Sequence, residues 1–247
     1  CKTMIIQADP QMHFKTLNQQ VRDTADSQIV INGCIGQRYI GAGSSGKEII
    51  INGTPGNALG ACLDGSDIIV HGNAQDATGD TMNQGHIVIH GSSGDATGYG
   101  MRGGKIFVRD NAGYRGGIHM KTYQDKLPVL VIGGMAGSFL GEYQAGGLIV
   151  VLGKGADKKP PIGYFCGTGM HGGRIFLRCE EAPSNLPAQV SCEAATPADL
   201  ALIRPHLAEF CSYFTEYGES LEDILNDRFY VLSANTKNPY KRLYTYN

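Results

Sequence analysis

Residues 68–91 read IIVHGNAQDATGDTMNQGHIVIHG, and this stretch decides the fold. The aliphatic triplet Ile68-Ile69-Val70 is followed by His71 and Gly72, and 19 residues later Ile87-Val88-Ile89 is followed by His90 and Gly91. The same figure recurs upstream at Ile29-Val30-Ile31 and Ile49-Ile50-Ile51. Downstream it recurs at Ile106-Phe107-Val108, Val129-Leu130-Val131, Ile149-Val150-Val151 and Ile175-Phe176-Leu177. Taken between Gly33, Gly53, Gly72, Gly91, Asp110, Gly133, Gly153 and Cys179, the steps are 20, 19, 19, 19, 23, 20 and 26 residues. A near-constant step of this size marks a solenoid, in which one repeat cannot bury its apolar face alone.

Side chains alternate across a strand, so the first and third triplet positions share one face. All are Ile, Val or Leu. Stacking such strands in parallel at about 4.8 Å buries that face continuously, and eight rungs span roughly 35–40 Å. Parallel strands joined by returning chain wind right-handed. The expected fold is therefore an all-β, right-handed parallel β-helix of about eight coils. Glycine pairs such as Gly56/Gly60, Gly94/Gly98, Gly113/Gly117, Gly137/Gly141 and Gly163/Gly167 recur between strands, where the chain must turn. They open no helical pattern, so they read as corners and not as a phosphate-binding loop.

The middle triplet position carries the functional question. It should face outward, yet it holds Val30, Ile50, Ile69, Val88, Phe107, Leu130, Val150 and Phe176. Such a stripe needs a cover. The chain's own helices could supply it, or a partner could, and the two could divide the coils between them.

The ends differ from the middle. Phe14, Leu17 and Val21 fall at helical spacing within residues 11–23, a helix placed to cap the first coil. Beyond Cys179 glycine nearly vanishes. Thr196-Pro197-Ala198-Asp199 starts a helix carrying Leu200, Ile203, Leu207, Phe210 and Phe214, which Pro205 should kink or divide. Ser220-Leu221-Glu222-Asp223 starts a shorter one, Phe229–Leu232 is extended, and Asn238-Pro239-Tyr240 is turn-like. The expected organisation is a cap over 1–28, the β-helix over 29–179 and a helical extension over 180–247 that packs on it. Insertions within 110–133 and at Lys154–Pro161 should protrude.

Composition narrows the function. The 247 residues carry a net charge of -2 and only 18% charged residues, without a polybasic run, so nucleic acid and anionic membranes are poor partners. Apolar runs are too short to cross a bilayer, and no signal peptide is visible. Seven cysteines without a C-x-x-C pair suggest buried thiols in a reducing, cytoplasmic setting.

Candidate chemistry is sparse. Asp76 and Asp95 occupy equivalent D-A-T-G turns and should stack about 5 Å apart. They could bind a cation, but turn capping is the expected role. His71 and His90 stack likewise, continuing from Asn32 and Asn52. Two imidazoles could ligate a metal, yet Arg109 follows in the next coil, so a solvent-side ladder is expected. His86 sits at a turn without an obvious partner. Cys1 could serve as an N-terminal nucleophile, but no oxyanion-hole or glutamine-binding sequence follows it. No catalytic, cofactor-binding or metal residue is expected, and no cofactor.

Several stretches together resemble a known family. They are His13-Phe14-Lys15-Thr16-Leu17-Asn18, Gly36-Gln37-Arg38-Tyr39-Ile40-Gly41-Ala42-Gly43, the turn Gly98-Tyr99-Gly100 and the ending Asn238-Pro239-Tyr240. From about residue 6 to the end, the chain resembles the carboxy-terminal GXGXG domain of the glutamate synthase large subunit. The resemblance implies a non-catalytic β-helix that holds a glutaminase and an FMN-binding unit in position. Here those would be separate subunits, or the chain an excised domain, and a homo-oligomer is left open. The fold also resembles the C subunit of formylmethanofuran dehydrogenase, another scaffold. An independent enzyme acting on a polysaccharide would need a cluster of carboxylates and basic groups on one outer face. The expected role is assembly within a glutamate synthase-type complex.

Overall fold

The structure is a computed structural model and describes residues 2–235. Nine parallel strands stack in chain order: β1 (Thr3–Gln7), β2 (Gln28–Ile35), β3 (Glu48–Thr54), β4 (Asp64–His71), β5 (Gln84–Ile89), β6 (Lys105–Val108), β7 (Val129–Ile132), β8 (Ala145–Val151) and β9 (Gly172–Arg178). The chain is the all-β parallel β-helix that the triplets foretell. Its coil count differs slightly from eight. Left-handed corner residues recur at Tyr39, Ala58, Ala77, Ala96, Arg115, Phe139 and Phe165, which closes about six regular turns. β1 adds a rung within the stretch 1–28, where the sequence suggests only a cap.

Inside the coils the triplets form continuous columns. Ile29, Ile49, Ile68, Ile87 and Ile106 are in register, as are Ile31, Ile51, Val70, Ile89 and Val108, all fully buried. One strand departs from the triplet register by a residue. In β7 the inward pair is Leu130 and Ile132, opposite Ile106 and Val108, while Val129 and Val131 face outward. β7 is buried on both faces, so no polar alternation marks its register.

The glycine pairs act less as hinges than as points of close approach. A Cβ on Gly56 would lie 2.2 Å from the Gly36 carbonyl oxygen of the preceding coil. One on Gly60 would lie 2.7 Å from Cδ1 of Ile87. The first glycine lets backbones stack, and the second leaves room for a core isoleucine. The left-handed corner itself tolerates Ala, Arg, Tyr and Phe.

Helix α1 (Phe14–Asp23) inserts Leu17 and Val21 into the inner core and caps the first coil, as expected. The segment after β9 adds β10 (Val190–Ala194), helix α2 (Pro197–Tyr213), a 3-10 turn (Thr215–Tyr217), helix α3 (Leu221–Leu225) and β11 (Phe229–Ala234). β11 lies antiparallel between β9 and β10, so the extension is less purely helical than expected. Capping boxes at Thr196/Asp199 and Ser220/Asp223 start α2 and α3. α2 runs undivided through Pro205, so the proline does not split it into two helices. Pro205 is on the exposed side of the helix, where water can satisfy the freed carbonyl, while Ile203, Leu207 and Phe210 hold the opposite side. Asn238-Pro239-Tyr240 and Cys1 lie outside the described residues. No helix among the described residues is long and apolar enough to cross a membrane.

Candidate interaction surfaces

The outward stripe is divided. From β5 to β9 its members Val88, Phe107, Val131, Val150 and Phe176 are buried in a second apolar cluster with Ile203, Leu207, Phe210 and Phe214. The cover is a strap made by α2, the 3-10 turn and α3. α2 runs along the stack axis, from Asp199 beside Arg174 of β9 (3.1 Å) to Glu209, which meets Lys105 of β6 and lies 3.6 Å from His86 of β5. The strap turns at Phe214. It is pinned on its way back by the Tyr217 hydroxyl, which donates to the Gly133 carbonyl (2.7 Å), and by Lys154, whose ammonium donates to the Tyr217 carbonyl. The base of the Lys154–Pro161 loop is thus tied to the strap. Arg178 of β9 closes on Glu219 at 3.0 Å.

The histidine column belongs to this strap. His71 and His90 stack at 4.7 Å, but His90 also hydrogen-bonds Glu216 (2.6 Å) and meets the edge of Phe214 (4.9 Å). The expected solvent-side ladder runs through Asn32, Asn52 and the exposed His71 and is corrected only at its end, where His90 is an anchor of the strap tip. Burial, with His90 adjacent, lowers the His71 pKa despite the pull of Glu216. His86, expected without a partner, lies on β5 and bonds Asp67 at 2.8 Å.

Glu216 titrates unusually. Burial alone would raise its carboxyl, but hydrogen bonds from His90, its own backbone N–H and Arg109 outweigh that and hold it at about 2 against an ordinary 4.5. A folded value below the unfolded one gives stability that is complete above about 4.5 and is lost as pH falls toward 2. Glu216→Gln is therefore expected to lower stability at neutral pH and to flatten the loss between about pH 5 and 2. Melting temperatures of both proteins across that range check this.

Asp76 and Asp95 do cap turns, although not their own. Asp76 Oδ1 accepts from the Asp95 N–H (2.7 Å), and Asp95 Oδ1 accepts from the Tyr114 N–H (2.8 Å), each on the next coil. Asn57 serves Asp76 in the same way (3.0 Å). The stacking of coils turns a local turn cap into a ladder between coils. Burial raises the thiols of Cys34 and Cys179 to about 11 and of Cys166 to about 12, so all three stay protonated and unreactive at neutral pH. No cluster of three or more His, Cys, Asp or Glu suited to a metal occurs among the described residues.

A further surface is not anticipated by the repeat pattern. At the corner of the last coils the Arg115 guanidinium stacks over Phe139 (4.5 Å), and Phe139 stacks on Phe165 (5.2 Å). Beside them Tyr99, His119 and Tyr143 form a second run. Tyr114, Ser138 and Tyr164 complete a cleft of about 340 Å³. Its signal lies in the chain: Tyr114-Arg115, Ser138-Phe139 and Tyr164-Phe165 each precede the second glycine of their pair, where the two coils before them have Asp76-Ala77 and Asp95-Ala96. The strap carboxylates Glu209 and Glu216 carry no such signal, because their partners lie more than a hundred residues away.

Architecture and surfaces together define a glycine-cornered parallel β-solenoid with a partly covered outer face. The chain belongs to the GXGXG motif family, matched over residues 4–233, which is the family of the carboxy-terminal domain of the glutamate synthase large subunit. It is also similar to the uncharacterized protein MJ1350 of Methanocaldococcus jannaschii, 45% identical over 244 residues, covering 95% of this chain and 94% of that protein.

Proposed function

We propose that this chain is a non-catalytic assembly subunit or domain of a glutamate synthase-type complex, holding a glutaminase and an FMN-binding unit for glutamine-dependent glutamate formation. The observation that carries the reading is the family match along nearly the whole described chain. The geometry supports it. The polar side chains that could have suggested chemistry have structural partners: Asp76 and Asp95 cap neighbouring coils, His86 bonds Asp67 of the preceding coil, and His90 anchors the strap. A rigid stack with separate outer faces suits the positioning of other units.

The test is purification of the tagged chain from its native host at physiological salt. A flavin-containing protein and a glutaminase are expected to co-elute in fixed ratio, and the complex, supplied with a two-electron reductant for the flavin, should form two glutamates from glutamine and 2-oxoglutarate while the chain alone does not. Elution without a flavoprotein, at native expression level, would sink the reading.

A further inference from the structure

The strap ends at β4–β5, but the apolar stripe continues. Ile69, Ile50, Val30 and Ile5 are in register on β4 to β1; Ile69 still packs against the edge of the strap cluster, while Ile50, Val30 and Ile5 belong to neither apolar cluster. Val30 and Ile50 are half-buried, and Ile5 is 62% exposed. This run, open fully only at Ile5, lies on the same face that α2 covers further along.

The charges beside the stripe change sign where the cover stops. Under the strap the flanking column holds His86 and Lys105, and α2 answers with Glu209. In the open part the same column holds Glu48 and Asp67, with Gln28 next. Asp67 is tied to His86 yet half exposed, and Glu48 accepts a hydrogen bond from the neutral Gln28 (3.1 Å). The opposite flank is neutral, with Asn52 donating to Asn32 (2.8 Å). An acidic strap fits the basic half of the face, and the acidic half asks for a basic cover.

We infer that the open stripe over β1–β4 is a docking site for an amphipathic helix of a partner protein, apolar on the side facing Ile5, Val30 and Ile50 and bearing Lys or Arg beside Glu48 and Asp67. The helix continues the line of α2. Three steps of about 4.8 Å give roughly 14 Å, about ten helical residues at 1.5 Å each. This is helix-in-groove recognition with charge setting the register. The inference rests on the chemistry of the face and does not need the partner to be a glutamate synthase unit.

The experiment uses two labelled synthetic peptides with leucine at helical a/d spacing, one with lysine and one with glutamate at the remaining positions, titrated against the full chain by fluorescence anisotropy. The lysine peptide is expected to bind at least tenfold more tightly than the glutamate peptide. Glu48→Lys, its fold checked by an unchanged circular dichroism spectrum, should weaken it about tenfold, and Ile50→Lys further. Substitution of Tyr164 and Phe165 by Ser, at the distant aromatic corner, should not. Absence of binding, equal binding of the two peptides, or sensitivity to the Tyr164/Phe165 change but not to Glu48→Lys would overturn the inference. So would a dimer in light scattering that Ile50→Lys dissolves, since the occupant would then be a second copy. In the native complex, loss of the flavoprotein on Glu48→Lys would place that unit on this face. Its retention would leave the family reading intact and remove this site from it.

Discussion

Phe210→Ala is expected to destabilise the protein by about 3–5 kcal/mol, the range for truncating a fully buried aromatic side chain. Phe210 is completely buried at the centre of the outer cluster. Its ring meets Phe214 at 4.8 Å and Tyr217 at 4.9 Å, both edge-on, and it lies over Gly133. Each such ring pair adds about 0.5–1.5 kcal/mol beyond buried area. Truncation opens a cavity between strap and stack, which neither a helix nor a hydrogen-bonded sheet can readily close. For a domain of this size the melting temperature should fall by roughly 6–20 °C. Because strap and coils form two apolar clusters, the loss should fall first on the strap. Hydrogen exchange should show α2 and α3 exchanging early while β2–β5 remain protected. Uniform exchange of both clusters would mean that they unfold as one unit.

The difference between the two clusters also explains what the residues alone reveal. The inner core obeys a local rule, since Ile68 and Ile87 occupy the same place in repeats 19 residues apart, and any stack of such repeats must bury them. The capping boxes of α2 and α3 are similarly local. The register of β7 is not legible because the strap buries its second face, replacing alternation by the uniform run Val129–Ile132. His86 finds Asp67 one repeat away, in register, but the partner of His90 depends on where Glu216 folds back, a non-local event without a sequence period. Asp76 and Asp95 lie between these cases: capping is legible in the D-A-T-G turn, but the recipient is the next coil. The aromatic corner is hidden differently. Its rings replace the Asp-Ala pairs of the two coils before them without disturbing the glycine spacing, so the repeat itself does not mark them.

Gly133→Ala should be nearly as damaging for the opposite reason, by adding one methyl group where there is no room. Its Cβ would lie 2.1 Å from the Arg109 carbonyl oxygen on the preceding coil and 2.8 Å from Phe210 Cζ in the strap. The first contact is with backbone already in the inter-coil ladder, which cannot yield by changing a rotamer. The second is with a ring held by two neighbours. The Gly133 carbonyl also accepts the Tyr217 hydroxyl, so any shift of this residue disturbs a buried hydrogen bond. Overpacking typically costs about 1–3 kcal/mol, and a clash against fixed backbone belongs at or above the upper end. Gly43→Ala is the control. Gly43 has φ +67° but open space around its Cβ position, so only the left-handed strain applies, about 1–2 kcal/mol. Urea denaturation of the two variants should therefore separate close approach from backbone conformation. A larger loss for Gly43→Ala than for Gly133→Ala would show that conformational freedom, and not the spacing of coils and strap, is why this chain keeps glycine at these positions.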